Sequence, residues 1–391
     1  MYRRSWLWAL ILGLTSVCGG AQDELARARR INQQAVGIDA HIDTLQRVLI
    51  ENADIGQRLS KGHVDIPRLR EGGMDVPFFA LWVPTYYKGA EAVRRALDLR
   101  DAMQRVLDAY PKEIELATTA SDIERIVAAG KIAAFLTIEG GHQIDNDLAV
   151  LRVFYQLGIR SMTLTHFRNN DWADASTDSP KHNGLTDFGR QVIREMNRLG
   201  MIVDVSHVSD KTFYDTLSVT TKPVIASHSA CRVLSDVPRN MTDDMLRALA
   251  RNGGVVGINF GSGFLAQKSA GALKKSISAL AAAEPDLAGR ALDSYSREQY
   301  TKDFQSGPAE PPASIDDLVA NIDHAVEVAG IDHVGIGTDY DGVSSVPVGL
   351  EDVSRMPNLT AALLKHGYSE ADIKKILGGN FLRVIRQVTG R

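Results

Sequence analysis

His41 and Asp43 stand two positions apart in the segment AHIDT, so on a β-strand both side chains project from one face and can chelate a metal. An H-x-D pair also arises often by chance and alone decides nothing. Three further polar residues close apolar runs: Glu139 in LTIEGG, His207 in VDVSHVS and His228 in VIASHSA. Asp339 closes another, in GIGTDYDG, with Asp341 two residues on as either an outer partner or a helix cap. Each has a bland reading, because a strand-end histidine can bond a backbone carbonyl and a strand-end aspartate can open the next helix. Their joint meaning depends on whether the chain brings those ends together.

The apolar runs are Gly37 to Ile42, Met74 to Trp82, Ile132 to Ile138, Ile159 to Leu164, Met201 to Val205, Val224 to Ala226, Val255 to Phe260 and His333 to Gly337. Helical patterns separate them at Glu91 to Ala109, Asp147 to Leu157, Thr186 to Leu199, Asp210 to Leu217, Asp243 to Asn252 and Ile315 to Ala329. Alternating buried strands and capped helices, with no Pro/Ser/Gly tract to divide them, predict an α/β fold, a single (β/α)8 TIM barrel over residues 22–391. A doubly wound open sheet is the fallback. In a barrel the strand ends converge on one rim, so His41, Asp43, Glu139, His207 and His228 meet in one cavity. Three such ligands suffice for one catalytic zinc; five imply two ions sharing a carboxylate, and Glu139 is the natural bridge. A long insertion, Gly261 to Ser314, separates the seventh and eighth predicted strands and is expected to stand over the active face. It holds an Ala-rich helical stretch, Ala266 to Ala283, and a GPAEPPAS turn region, and Leu359 to Val388 reads as a C-terminal helical appendage outside the barrel.

Composition narrows the chemistry. Of 391 residues, 44% are hydrophobic and 24% charged, enough to bury a large core. Lys and Arg number 44 against 48 Asp and Glu, a net charge of -4, so nucleic acid is disfavoured as a partner. Two cysteines, Cys18 and Cys231, exclude a Cys-rich zinc module or disulfide framework and leave any metal to the ten histidines and the carboxylates. Met1 to Ala21 reads as a cleavable export signal, with Arg3 and Arg4 ahead of an apolar run and small residues at Gly19 and Ala21. The chain is therefore expected to be periplasmic or secreted, with no stable membrane span after cleavage. Val17 is too bulky to favour lipid attachment at Cys18, and Cys231 is then a lone packed residue.

The chain resembles the membrane dipeptidases, or renal-type dipeptidases, peptidase family M19 of the binuclear-zinc amidohydrolase superfamily. The resemblance rests on DAHIDT, IEGG, LTHFRNN, DVSHVS, ASHSACR, RNMTDD and GIGTDYDG, in that order and spacing, and runs from about Gly37 to the final helix. It implies two Zn²⁺ per chain, one held by His41 and Asp43 and the other by His207 and His228, bridged by Glu139 and a water or hydroxide. It further implies that His166 and Arg239 contact substrate and that Asp339 is the acid at the end of the eighth strand. It also makes a homodimer plausible.

The activity so implied is zinc-dependent hydrolysis of dipeptides to free amino acids, a hydroxide between the ions attacking the peptide carbonyl. Asp339 would move the proton, His166 would donate to the oxyanion, and Arg239 would pair in a fork with the free carboxylate. From sequence alone Arg239 reads equally as a surface loop arginine. His63, His142, His182, His324, His333 and His366 read as structural or solvated. Two alternatives stand beside this reading: another binuclear amidohydrolase, acting on cyclic amides, lactones, phosphotriesters or β-lactams, and a secreted metal- or peptide-binding protein without turnover.

Overall fold

The computed structural model describes residues 23–271, 273–275, 278, 285–305 and 311–390. The predicted export signal and Cys18 lie outside them, as do parts of the Ala-rich stretch and of the GPAEPPAS region. Among the described residues no helix is long and apolar enough to cross a membrane.

Among the described residues nine parallel strands form: β1 Ile38–Ile42, β2 Val76–Trp82, β3 Ile114–Leu116, β4 Ile132–Glu139, β5 Ile159–Thr163, β6 Ile202–Asp204, β7 Ile225–Ser229, β8 Val255–Ile258 and β9 Val334–Ile336. Eight of them are the predicted runs, and they close in the order β1-β2-β4-β5-β6-β7-β8-β9 and back to β1. The fold is a (β/α)8 TIM barrel. The ninth, β3, escapes notice in the sequence because three residues carry no periodicity. It pairs only with the start of β4, Ile114 opposite Ile132, below the point where β2 joins at Phe135.

The helices begin where short polar side chains can take up free backbone N–H groups. Thr186 accepts from Gly189 N, Ser209 from Thr212 N, Thr242 from Met245 N, and Ser314 forms a reciprocal box with Asp317. Each such cap fixes where a helix leaves the rim, and so the path of the loop that carries the residue at the end of the preceding strand.

The C-terminal appendage differs from expectation. Its last helix, Asn380–Thr389, does not simply lie outside the barrel but closes its N-terminal end. Phe381, Val384, Ile385 and Val388 pack with Ile38, Val76, Phe78, Phe135, Ile202, Ile225 and Val255 from the strands. A Cβ on Gly335 would come within 2.4 Å of the Phe381 ring, so the plug depends on a strand position with no side chain. The physical reason is that the apolar side chains of the barrel's lower layer would otherwise face water.

The insertion, observed between β8 and β9, contains the helix Gly289–Gln305. Tyr295 meets Tyr86 edge-on at 5.4 Å, and Arg297 donates to the Ile50 carbonyl, so this helix rests on the segments that follow β1 and β2.

Candidate metal centre

Two of the barrel's three register shifts turn metal-ligand candidates toward the cavity. Between Asp39 and Ile42, β1 carries one residue more than β2, and between Ala226 and Ser229, β7 carries one more than β8. An extra residue in one strand reverses the inside-outside alternation beyond it. Ile38 and Ala40 therefore belong to the apolar lower layer, while His41 and Asp43 turn into the upper cavity; Ile225 lies below, and His228 above.

Glu139, the last residue of β4, holds the centre. Its Oε2 lies 3.3 Å from His41 Nε2, while its Oε1 lies 2.9 Å from His207 Nε2, 3.3 Å from His228 Nε2 and 3.6 Å from His166 Nε2. His41 Nε2 is 3.4 Å from Asp43 Oδ2, and the Nε2 atoms of His207 and His228 are 3.0 Å apart. Three overlapping trios place ligand atoms within 4.8 Å of one another: His41, Glu139, His228; Glu139, His166, His207; and His41, Asp43, Asp339. The five expected ligands, His166 and Asp339 thus share one buried cavity.

Local backbone is held in costly conformations to achieve this. His207 has φ 70°, Asp339 φ 60° and Asp341 φ 64°, left-handed values uncommon outside glycine. Asp341, undecided from sequence, is a buried clamp: it accepts from Thr44 Oγ1 at 2.7 Å and from His63 N at 2.7 Å, binding the β9 loop to the segment after β1.

Burial pushes the carboxyls of Asp43 and Glu139 up, and that of Asp339 up to about 6. Burial likewise pushes the imidazoles of His166, His207 and His228 well down, with the Arg239 charge adding to it. His41 moves the other way. Burial opposes its charge, but the adjacent Glu139 and Asp43 hold the proton on. Desolvation thus favours neutral imidazoles at His166, His207 and His228 and resists ionisation of the acids, with His41 the exception.

The residues fit a divalent cation. His41 Nδ1 and Nε2, Asp43 Oδ1 and His207 Nδ1 are buried without a hydrogen-bond partner, and unsatisfied polar atoms among imidazoles and carboxylates in a dry site are what a metal relieves. A Cβ on Gly342 would lie 2.2 Å from Asp43 Oδ2 and 2.4 Å from Asp339 Oδ1, so room beside both carboxylates is kept by a missing side chain. The donor set is nitrogen and oxygen with no sulfur; Cys231 is packed elsewhere, its Sγ 3.4 Å from the Asn321 carbonyl.

Several participants carry no sequence signal. Asp204, ending β6, accepts from Thr163 Oγ1 and Ser227 Oγ, each at 2.6 Å, and from Ser227 N at 2.9 Å. Ser227 Oγ, its proton directed at Asp204, is 2.8 Å from His228 Nδ1 and so accepts from it, leaving the lone pair on Nε2. Asn259 Nδ2 donates to Asp339 Oδ2 at 2.9 Å. Serine, threonine and asparagine near strand ends are too common to single these out; only their distance from the ligands does.

Arg239 is buried rather than on the surface. Its Nη2 donates to the His228 carbonyl at 3.2 Å, its Nε and Nη1 have no acceptor, and its guanidinium lies 5.4 Å from the Phe264 ring centroid. The other histidines are bonded away from the cluster: His182 to the Asn170 carbonyl, His324 to Asp243, His333 to the Gly254 carbonyl, His366 to Asp323, and His63 to Asp341 N. His142, pushed down to about 4 by burial, has its Nε2 buried without a hydrogen-bond partner and is not among the clustered ligand atoms.

Residues 25–390 match the model of the membrane dipeptidase family, peptidase family M19. The chain is similar to dipeptidase 3 of Mus musculus, 36% identical over 376 residues, which is 92% of this chain and 67% of the mouse protein. Among solved structures it resembles the probable dipeptidase PvdM from Pseudomonas aeruginosa, with TM-score 0.80 and 27% identity over 94% of this chain and 99% of that one. It also resembles a metallopeptidase from Rhodobacter sphaeroides solved with a phosphinate mimic of the dipeptide L-Ala-D-Ala, with TM-score 0.75, 25% identity, and coverage of 90% and 99%.

Proposed function

The chain belongs to the membrane dipeptidase family, peptidase family M19, and from that membership and the cluster around Glu139 we propose that it hydrolyses dipeptides at a two-zinc centre. It is a dipeptidase-like metallopeptidase with a metal cofactor; the number and identity of the ions and the role of each residue belong to the proposal. The observation that carries it is the split of one carboxylate: Glu139 Oε2 turns to His41 and Oε1 to His207 and His228. His41 with Asp43 would hold one zinc and His207 with His228 the other, Glu139 giving an oxygen to each. The chemistry such ions supply when bound is acidified water at neutral pH and polarisation of the scissile carbonyl.

The protein's own groups would do the rest. Asp339 takes the proton of the attacking water and returns it to the leaving amine. His166, neutral because burial and the Arg239 charge disfavour its cation, keeps one N–H to donate to the carbonyl oxygen as negative charge develops there. Arg239 holds the terminal carboxylate of the substrate. Its unpartnered Nε and Nη1 are the feature that supports this, since a buried guanidinium without an anion is costly. Gripping a terminal carboxylate beside the cluster leaves no room for a longer C-terminal chain. The Rhodobacter relative's dipeptide mimic supports the same substrate class.

The decisive experiment loads the protein with zinc, counts metal per chain, and assays a dipeptide panel that includes Ala-Ala stereoisomers, tripeptides and dipeptide amides. Free dipeptides should be cleaved and the others spared. Bound zinc with no hydrolysis of any member would overturn the proposal. Arg239→Ala should lose about 2–5 kcal/mol in kcat/KM, mostly through KM, and should change little for any residual amide cleavage, where no carboxylate is present to miss. Equal losses on acids and amides would remove Arg239 from carboxylate binding.

Asp204→Asn replaces an acceptor of four hydrogen bonds, from Thr163 Oγ1, Ser227 Oγ, Ser227 N and Ser206 N, with a group that must donate on one side. The Ser227 link to His228 Nδ1 should loosen, and zinc affinity measured by chelator competition should fall about 10- to 100-fold while the fold is retained. Unchanged affinity would show that the Ser227 contact does not govern the ligand. Export with removal of Met1 to Ala21, and pairing of two copies, complete the proposal; N-terminal sequencing of exported protein and sedimentation test them.

A further inference from the structure

A cavity of about 240 Å³ opens where the helix Gly289–Gln305 meets the end of the helix Thr44–Ile50 and the first turns of the helix Ala90–Ala109. Its lining is Ile50, Arg95, Arg290, Asp293, Ser294 and Arg297, none of which belongs to the metal cluster. Half of that lining is arginine.

The acids nearby are already committed. Asp293 accepts from the Tyr87 hydroxyl at 2.9 Å and from Arg94 Nη2 at 2.8 Å. Arg94 also holds Glu91 at 2.9 Å and Asp98 at 2.8 Å. Arg297 donates to the Ile50 carbonyl. Arg95 is the exception: it is 5% exposed, its Nε and Nη2 have no hydrogen-bond partner, and it faces the Tyr87 ring at 5.8 Å. Asp98 and Asp293 feel its charge, yet both accept from Arg94 instead, Asp293 from the Tyr87 hydroxyl as well. A guanidinium cannot shed its proton to escape burial, as a lysine or histidine can. Buried with no carboxylate hydrogen-bonded to its Nε or Nη2, it carries a cost that a bound oxyanion would relieve.

We infer that this cavity binds a small oxyanion carrying two or more charges, of phosphate or dicarboxylate chemistry, with Arg95 at its floor and the exposed Arg290 and Arg297 at its mouth. The volume lies below the roughly 300–1,000 Å³ of pockets for larger organic ligands and suits an ion with a few waters. Planar guanidinium forks match either anion class, and three of them favour a multivalent one over chloride. The bound anion ties the insertion helix to the helices that follow β1 and β2. Occupancy is therefore coupled to the order of the insertion.

Calorimetric titration of the zinc-loaded protein with inorganic phosphate and, separately, succinate tests this, with sodium chloride at matched ionic strength as the control. Wild-type protein should bind one anion at this site saturably and show a rise in Tm that follows anion concentration. Phosphate alone binding identifies the tetrahedral class, and succinate alone the dicarboxylate. Arg95→Gln and the surface pair Arg290→Gln with Arg297→Gln should each weaken that binding at least tenfold, while metal content and dipeptide turnover without added anion stay at the wild-type level. The metal cluster can itself take phosphate, so the quantity read is the difference between wild type and variants whose cluster is intact. If Arg95→Gln proves unstable, the surface pair decides. Equal affinity in wild type and variants, or no saturable binding of either anion, overturns the site.

Discussion

Glu139→Gln is expected to empty both halves of the metal cluster together. Glutamine keeps one acceptor oxygen but turns the other into an NH₂ donor, so a side chain that now presents Oε2 to His41 and Oε1 to His207 and His228 can serve only one side. The cluster also loses the negative charge that offsets two cations. Removing one partner from a buried charged pair costs about 3–5 kcal/mol, so each zinc should bind roughly 10²- to 10⁴-fold more weakly. Metal per chain after dialysis against a weak chelator, with dipeptide turnover beside it, checks this. Full occupancy with two ions in the variant would refute the bridge, and loss of one ion only would assign Glu139 to a single site.

Asp339→Asn should have the opposite signature: metal retained and turnover largely gone. Asparagine tolerates the left-handed backbone at this position, φ 60°, and can still accept from Asn259, so the loop should keep its course. What it cannot do is take a proton from water. Loss of a general base lowers kcat by about 10²- to 10⁴-fold. The competing role is visible in the same geometry, because Asp339 lies within ligand distance of His41 and Asp43. Metal analysis separates the two. A variant that loses zinc as well as turnover would make Asp339 a ligand first.

The two variants exploit different degrees of legibility. His41, Asp43, Glu139, His207, His228 and Asp339 could be picked out by residue type at the ends of apolar runs, because a barrel places every such end on one rim, whereas His166 came only through the family resemblance. Arg239 could not be placed, since an arginine in a loop looks the same whether exposed or sealed beneath Phe264. Asp204, Ser227 and Asn259 left no trace at all. They act through hydrogen bonds to neighbours on other strands, and only assembly makes those neighbours.

Chain order and local chemistry alone determined the eight alternating units, the helix starts at Thr186, Ser209, Thr242 and Ser314, and the supply of imidazole and carboxylate donors in a chain nearly free of cysteine. These are one-dimensional properties: periodicity, capping and composition are written residue by residue. Tertiary structure decided which way the donors face and what surrounds them. The extra residues in β1 and β7 turn His41 and His228 inward, Asn380–Thr389 seals the lower mouth, and Asp204 selects the nitrogen that His228 offers. Those outcomes depend on register and distance between segments far apart along the chain, which arise only when the barrel closes.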